Sequence, residues 1–309
     1  MADRPGFPCA RTVETMDPFD DLLRGVRADG ALLDLARPTP SGAAPLGEGA
    51  SLTLCAPLRG ETRVADRRVR PGEAAIVRGP EPFRAVGDGV LLTGVYRVRG
   101  EVPGRLLRVL PRVVVVPDEH DCAGLLGYLE AQVAAGRPGR QVVLDRLLDW
   151  LLVCSLRDWF DRPGSKAPGW YAALADEVVG PALRAMHAAP AEPWTLASLA
   201  AEGRVSRTTF AKRFPQLVGE APLAYLTGWR MALAADMLTD QPATTVATVA
   251  RRVGYADPFG FSAAFKRVMG ASPSAYRTRA WPTAGTTPTT PPSPVPAQRG
   301  GRPTAARNG

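Results

Sequence analysis

The sequence predicts an α+β protein: an N-terminal β-barrel with two following helices, then an all-α C-terminal domain of two helix-turn-helix modules joined by a long helix. Three observations predict it. Up to Val116, short apolar runs alternate with Gly, Pro or charged clusters, the rhythm of a sandwich or barrel. From Cys122 onward the apolar spacing becomes i, i+3, i+4, the period of a helix. Between Trp194 and Tyr276 a single pattern then occurs twice.

A chain of 309 residues with 45% hydrophobic content can build cores in two domains. Its net charge of +8 is uneven: residues 1–179 carry 23 basic and 24 acidic side chains, residues 180–279 carry 12 and 6, and the tail from Ala280 adds three arginines. A basic excess in the C-terminal half points to a polyanionic partner. Nucleic acid is favoured over a membrane, because no long apolar segment or basic amphipathic anchor appears. The four cysteines, at 9, 55, 122 and 154, show no CxxC spacing, and the N-terminus has no apolar signal-peptide core. Reduced, buried thiols in a cytoplasmic protein are the expectation, with a redox-sensing pair as the alternative. His120 and His187 are too far apart in the chain to suggest a histidine-rich metal site, and His187, near the end of a predicted helix, is expected to be a cap or surface residue.

In chain order, Asp17 to Val26 reads as a short helix, with Asp17 as N-cap and Pro18 at the first position. Strands follow at ALLDLA, SLTLCAPL, AAIV, VLLTGVYRV and RVVVV. Within Val69 to Phe83, Pro71 and Gly72 make a turn, Ala74 to Val77 a strand, and Gly79 and Pro80 a second turn. This piece resembles the first motif of the cupin family. In metal-dependent cupins the position of Phe83 is usually a histidine ligand, and the other expected histidines are missing nearby, which argues against metal catalysis; no metal or other cofactor is expected. The interior of such a barrel is either packed core or the seat of one small apolar or mixed ligand, whose binding residues the sequence does not identify.

Two helices are predicted over Ala123 to Ala135 and Val142 to Phe160. The second places Leu144, Leu147, Leu148, Leu151, Leu152, Leu156 and Trp159 on one face, to cover its own barrel or also to pair with the same helix of a second subunit. Arg162 to Gly169 (RPGSKAPG) reads as a linker. The chain thus divides into a barrel with helical extension over 1–162, a linker over 163–175, a helical domain over 176–279 and a tail over 280–309, whose Pro, Thr and Gly content predicts disorder.

In the duplicated region Leu196, Leu199 and Ala200 match Val246, Val249 and Ala250 at an offset of 50, whereas Phe210, Phe214, Gly219, Pro222 and Tyr225 match Phe261, Phe265, Gly270, Pro273 and Tyr276 at 51. One residue is therefore inserted between Ala250 and Phe261, and an insertion there should fall in a turn. In the first copy Thr195 caps LASLAAEG and Ser206 caps SRTTFAKRF; in the second Thr245 precedes VATVARRVGY and Asp257 caps PFGFSAAFKRVMG. That is helix-turn-helix sequence, with Phe210, Phe214, Phe261 and Phe265 facing small cores. Between the copies Pro222 to Thr239 makes one helix of about 27 Å. Such a rod can hold two recognition helices near one turn of B-DNA apart, about 34 Å.

The run TLASLA, SRTTFAKRF, GEAPLAYLTGWRMALAADML, VATVARRVGY, FSAAFKR, GASPSAYR resembles the DNA-binding domain of AraC-type (AraC/XylS) transcriptional regulators over about a third of the chain. The preceding barrel and helices are similar to the cupin-type sensor domain found in that family. The resemblance implies a promoter-binding regulator of double-stranded DNA, usually an activator that meets RNA polymerase, with a small-molecule effector in the barrel and a homodimer among the implied partners. It places base-facing positions at Thr208, Ala211 and Lys212, with Arg207 close by, and in the second copy at Phe259, Ser262 and Ala263. Lys212 is the strong reader, able to donate to guanine O6 and N7. Ala263 stands where many members carry arginine, so the second module is expected to contribute mainly phosphate and shape contacts through Ser262, Lys266, Arg267 and the amide groups at helix starts; across both copies Thr195, Ser206 and Thr245 are the phosphate candidates at helix starts. Arg213, Arg251 and Arg252 are basic surface, with Arg213 a phosphate candidate. The competing class is a cupin-fold enzyme fused to a DNA-binding module, against which stands the lack of any Ser-His-Asp, Cys-His or paired-carboxylate arrangement; a DNA-architectural or partner-binding protein without an effector is the third.

Overall fold

The computed structural model describes residues 18–28, 34–36, 45–117, 123–135, 138–165 and 167–278. The expectations for Cys9, Asp17, His120, Cys122 and the tail over 280–309 lie outside the described residues. Among those described, no helix is long and apolar enough to cross a membrane.

The strand-rich half starts with α1 (Pro18–Arg24) and stacks two antiparallel sheets. In the larger, β1 (Val26–Arg27), β8 (Val90–Val98), β3 (Leu52–Arg59), β6 (Glu73–Arg78) and β9 (Val113–Pro117) lie in that order, with β2 (Asp34–Ala36) also on β8; the smaller is β5 (Arg67–Val69), β4 (Thr62–Val64) and β7 (Ala85–Gly87). The central strand β3 is buried on both faces, because a strand alternates its side chains and both sides are covered. Leu52, Leu54 and Ala56 join Ile76, Leu92 and Tyr96 under the helices. Cys55 faces the other way, with Ala75, Val77 and Leu91, onto Val64, Val69, Phe83 and Ala85. Phe83, at the cupin ligand position, is thus inter-sheet core. Burial also pushes the Cys55 thiol up to about 12, which keeps it protonated and unreactive.

The two predicted helices appear as α3 (Ala123–Ala135) and α4 (Arg140–Asp161). Leu144, Leu148, Leu151, Leu152 and Leu156 of α4 are buried against the large sheet, so this face covers its own barrel. Gly94 lets the helix approach, since a Cβ there would lie 2.9 Å from a Leu148 methyl, and the Tyr96 hydroxyl donates to the Leu148 carbonyl at 2.7 Å. Five elements of this half were not anticipated: the two-residue strand β1, which takes Val26 from the predicted first helix, the three-residue strands β4, β5 and β7, and α2 (Glu101–Val109), which follows β8 directly.

The helical half comprises α5 (Gly169–Ala173), α6 (Val179–Ala188), α7 (Leu196–Glu202), α8 (Arg207–Val218), α9 (Pro222–Asp240), α10 (Val246–Arg252), α11 (Pro258–Met269) and α12 (Pro273–Arg277). The segment read as linker therefore contains an ordered helix: Ala173 of α5 is buried in the first helical core, and the Tyr171 hydroxyl donates to Asp161 at 2.9 Å. The helix α9 serves two cores. Its Tyr225 and Leu226 pack with Leu199, Phe210 and Phe214, and its Met231, Ala235 and Leu238 pack with Val249, Phe261, Phe265 and Tyr276. The extra residue of the second copy lies between α10 and α11, in the turn, as the change of offset requires.

The two halves meet through α1 and α2 on one side and α6, α9 and α12 on the other. Leu22, Val102, Trp229 and Ala232 form a small apolar cluster at the junction. His187 is corrected from cap or surface residue to a buried tie: its Nδ1 lies 2.7 Å from an Asp21 carboxylate oxygen, its Nε2 2.8 Å from the Tyr225 hydroxyl, and its ring stacks on Trp229 at 4.1 Å. On α9, Asp236 accepts from the backbone N–H groups of Glu101 and Val102 at 2.5 and 3.0 Å, and Gly100, at φ 101, makes room for it. Beside it, the Tyr276 hydroxyl of α12 donates to Glu101 at 2.9 Å.

Candidate DNA interface

Each helix-turn-helix start is capped locally. Thr195 and Ser198 form a reciprocal capping box on α7, Ser206 accepts from the Thr209 N–H on α8, and Thr245 accepts from the Thr248 N–H on α10. Asp257 accepts from both the Phe259 and Gly260 N–H groups on α11, with Pro258 at its first position. Helices α8 and α11 both stop at a left-handed glycine, Gly219 at φ 93 and Gly270 at φ 76, the conformation that glycine reaches without a Cβ clash. Within each, two phenylalanines one turn apart are fully buried: Phe210 with Phe214, and Phe261 with Phe265.

Fixing those inward faces fixes the outward ones, because a helix that buries i and i+4 turns i−2 and i+2 away. On α8, Arg207, Thr208 and Lys212 are exposed and Ala211 half-buried. On α11, Phe259, Ala263, Lys266 and Arg267 are exposed. Ser262 is half-buried, with its hydroxyl donating to the Pro258 carbonyl at 2.8 Å. The hydroxyls of Thr195, Ser206 and Thr245 are engaged in their own caps, so what these positions offer an anion is the helix start rather than the side chain.

Arg213 differs from the other cations. Its guanidinium grips Asp176, with Nε 3.1 and 3.0 Å from the two carboxylate oxygens, while Asp176 also accepts from the Val178 and Val179 N–H groups at the start of α6. The arginine beside it holds the Asp176 carboxyl down at about 2. Arg213 therefore braces α8 against α6 while half of its side chain stays exposed. Arg252 donates to the Gln241 side chain at 2.8 Å.

In the strand-rich half an open concavity of about 610 Å³ reaches Phe83 and Val113 of the inter-sheet cluster, with Arg67, Arg84 and Arg112 on its rim. Arg112 pairs with Glu81, whereas Arg67 and Arg84 form no ion pair among the described residues. No three His, Cys, Asp or Glu side chains among the described residues are grouped so as to hold a metal ion.

Two capped helix-turn-helix units on one rod, with Arg207 and Lys212 exposed on α8 and Lys266 and Arg267 exposed on α11, define a DNA-binding protein attached to a β-sandwich unit. Comparison with known proteins extends this to a family. Residues 17–161 match the family described as Cupin, and residues 199–279 match the helix-turn-helix domain family. A putative AraC-like transcription regulator of Streptomyces lividans is 35% identical over 241 residues, covering 75% of this chain and 79% of the relative. The HTH-type transcriptional regulator AlkR of Acinetobacter baylyi is 32% identical over 198 residues, 61% of this chain and 63% of the relative. Among solved structures, the DNA-binding domain of AdpA in complex with a target DNA is 34% identical, covering 31% of this chain and 86% of that one with a TM-score of 0.30. The chain belongs to the family of AraC-like transcription regulators and is a DNA-binding transcriptional regulator.

Proposed function

We propose that this regulator binds its operator by laying α8 and α11 into successive major grooves on one face of the duplex. The observation that carries the reading is the mounting of both helices on the uninterrupted 19-residue α9, about 28 Å long, with Phe210, Phe214, Phe261 and Phe265 buried and the opposite faces open to solvent. Lys212 reads guanine, with Arg207, Thr208 and Ala211 around it; Phe259, Ser262 and Ala263 face bases from the second module. Lys266, Arg267 and the helix starts at Thr195, Ser206 and Thr245 set the register on phosphate. Residues 1–162 act as the sensor unit, 176–279 as the DNA-binding unit, and the protein acts in the cytoplasm without an enzymatic role.

The sensor unit takes a small effector at the barrel mouth. In support, the concavity joins an apolar floor at Phe83 and Val113 to a rim of Arg67 and Arg84, the mixed lining expected of a ligand site. The contacts of α1 and α2 with α6 and α9 give that site a rigid route to the DNA-binding rod. A second copy pairs along α4, and as an activator the bound protein meets RNA polymerase.

Titrating labelled operator at several salt concentrations tests the reading. Binding should weaken steeply with salt. Lys212→Ala should cost about 1–3 kcal/mol at one base pair and relax preference there, whereas Lys266→Ala should weaken all sequences alike and lower the salt slope by about one. Unchanged affinity and preference in Lys212→Ala would remove that residue from the base-reading set.

A further inference from the structure

The two outward ridges carry different chemistry at matched positions. At the offset of 51 that superposes the phenylalanine pairs, Thr208 corresponds to Phe259, Lys212 to Ala263 and Ser206 to Asp257. The first ridge is polar and cationic. The second is apolar: Phe259 is 85% exposed, Ala263 is exposed one turn along, and the hydroxyl of Ser262 between them is turned back onto the Pro258 carbonyl.

An aromatic side chain left in water forgoes the burial that usually places it in a core, and here it stands on the helix face that the buried Phe261 and Phe265 force outward. Its backbone is held as well, since the Asp257 carboxylate accepts from the Phe259 N–H at 3.1 Å and the Gly260 N–H at 2.6 Å. That carboxylate, where the first copy has neutral Ser206, repels a phosphate at this helix start. Lys266 and Arg267 lie about two turns further along, so the cations flank the apolar ridge rather than interrupt it. In the major groove the one apolar feature of a base edge is the thymine 5-methyl group, which Phe and Ala side chains contact.

We infer that the second recognition helix reads thymine by its methyl group, through Phe259 and Ala263. This rests on the two-groove reading above and replaces, for α11, the expectation of mainly phosphate and shape contacts.

The experiment uses the full chain. An operator is selected from random duplexes, and each thymine in the half-site under the second module is replaced in turn by deoxyuridine, which removes only the methyl. At one or two positions the replacement should weaken wild-type binding roughly threefold to tenfold. Phe259→Ala should bind the thymine operator as weakly as wild type binds the deoxyuridine one and should no longer distinguish the two; Lys212→Ala should bind less tightly yet keep the full thymine preference. Two conserved half-sites with no effect of deoxyuridine would overturn this inference and leave the two-groove reading standing. Selection of no sequence, or of a single half-site, would overturn both. Loss of transcription in Phe259→Ala with unaltered DNA binding would reassign the ring to a protein partner and overturn the inference too.

Discussion

Phe214 and Phe259 show how little residue type says without position. Phe214 is fully buried in the first helical core, ringed by Phe210 and Tyr225. Phe214→Ala should therefore destabilise the protein by about 3–5 kcal/mol, read as a lower urea midpoint for the first module. Phe259→Ala, at an 85% exposed position, should stay within about 0.5 kcal/mol of wild type; a loss as large as that of Phe214→Ala would show that the ring packs in the fold rather than facing a groove. The inward set was legible in the sequence, since five residues recur at one constant offset and a duplicated module repeats its core. The duty of His187 was not. Its partners Asp21 and Tyr225 lie 166 and 38 positions away, beyond any local pattern, and a histidine in the last turn of a helix reads as a cap.

Helix α4 buries one face on its sheet and leaves a second apolar line. Val143 and Trp150 are 39% and 51% exposed, with Leu147 half-buried between them, and steps of four and three residues make a seam suited to a facing helix. If a second copy pairs there, Trp150→Asp should convert dimer to monomer in sedimentation without lowering the melting temperature of the monomer; a wild-type chain that is monomeric at high concentration would refute the pairing. The buried face of α4 was legible from its spacing, whereas α2 went unseen for a physical reason. It opens on Glu101, Val102, Pro103 and Gly104 with no Ser, Thr, Asp or Asn cap beside it. Its cap is Asp236, 135 positions further along the chain. A helix whose start is satisfied from the other half of the molecule leaves no start signal in its own sequence.

At the scale of the whole molecule, Asp236 joins the strand-rich half to α9, the helix shared by the two helix-turn-helix cores. Burial pushes its carboxyl up to about 6, against the pull of the two N–H groups it accepts. With the folded value raised above the unfolded value of about 4, the stabilisation is fully present below pH 4 and lost as pH rises through 6. The melting temperature of wild type should fall relative to Asp236→Asn between pH 4 and pH 6, since the amide keeps an acceptor oxygen and has no charge to desolvate. A difference between the two proteins that is the same at both pH values would sink this account. The same contact ties the junction to the second helix-turn-helix module, because Met231, Ala235 and Leu238 of α9 pack against Phe261 and Phe265 of α11.

The sequence by itself determined the duplicated module, its caps, its buried phenylalanines and the rod between the copies, because these depend on contacts a few residues apart or on a pattern stated twice. It also determined the strand rhythm and the covering face of α4. Only the tertiary structure decided that Arg213 braces α6, that α5 occupies the segment read as linker, and that His187 and Asp236 sit in the junction. Each of those depends on a partner distant in the chain, and such distance is not carried by local periodicity.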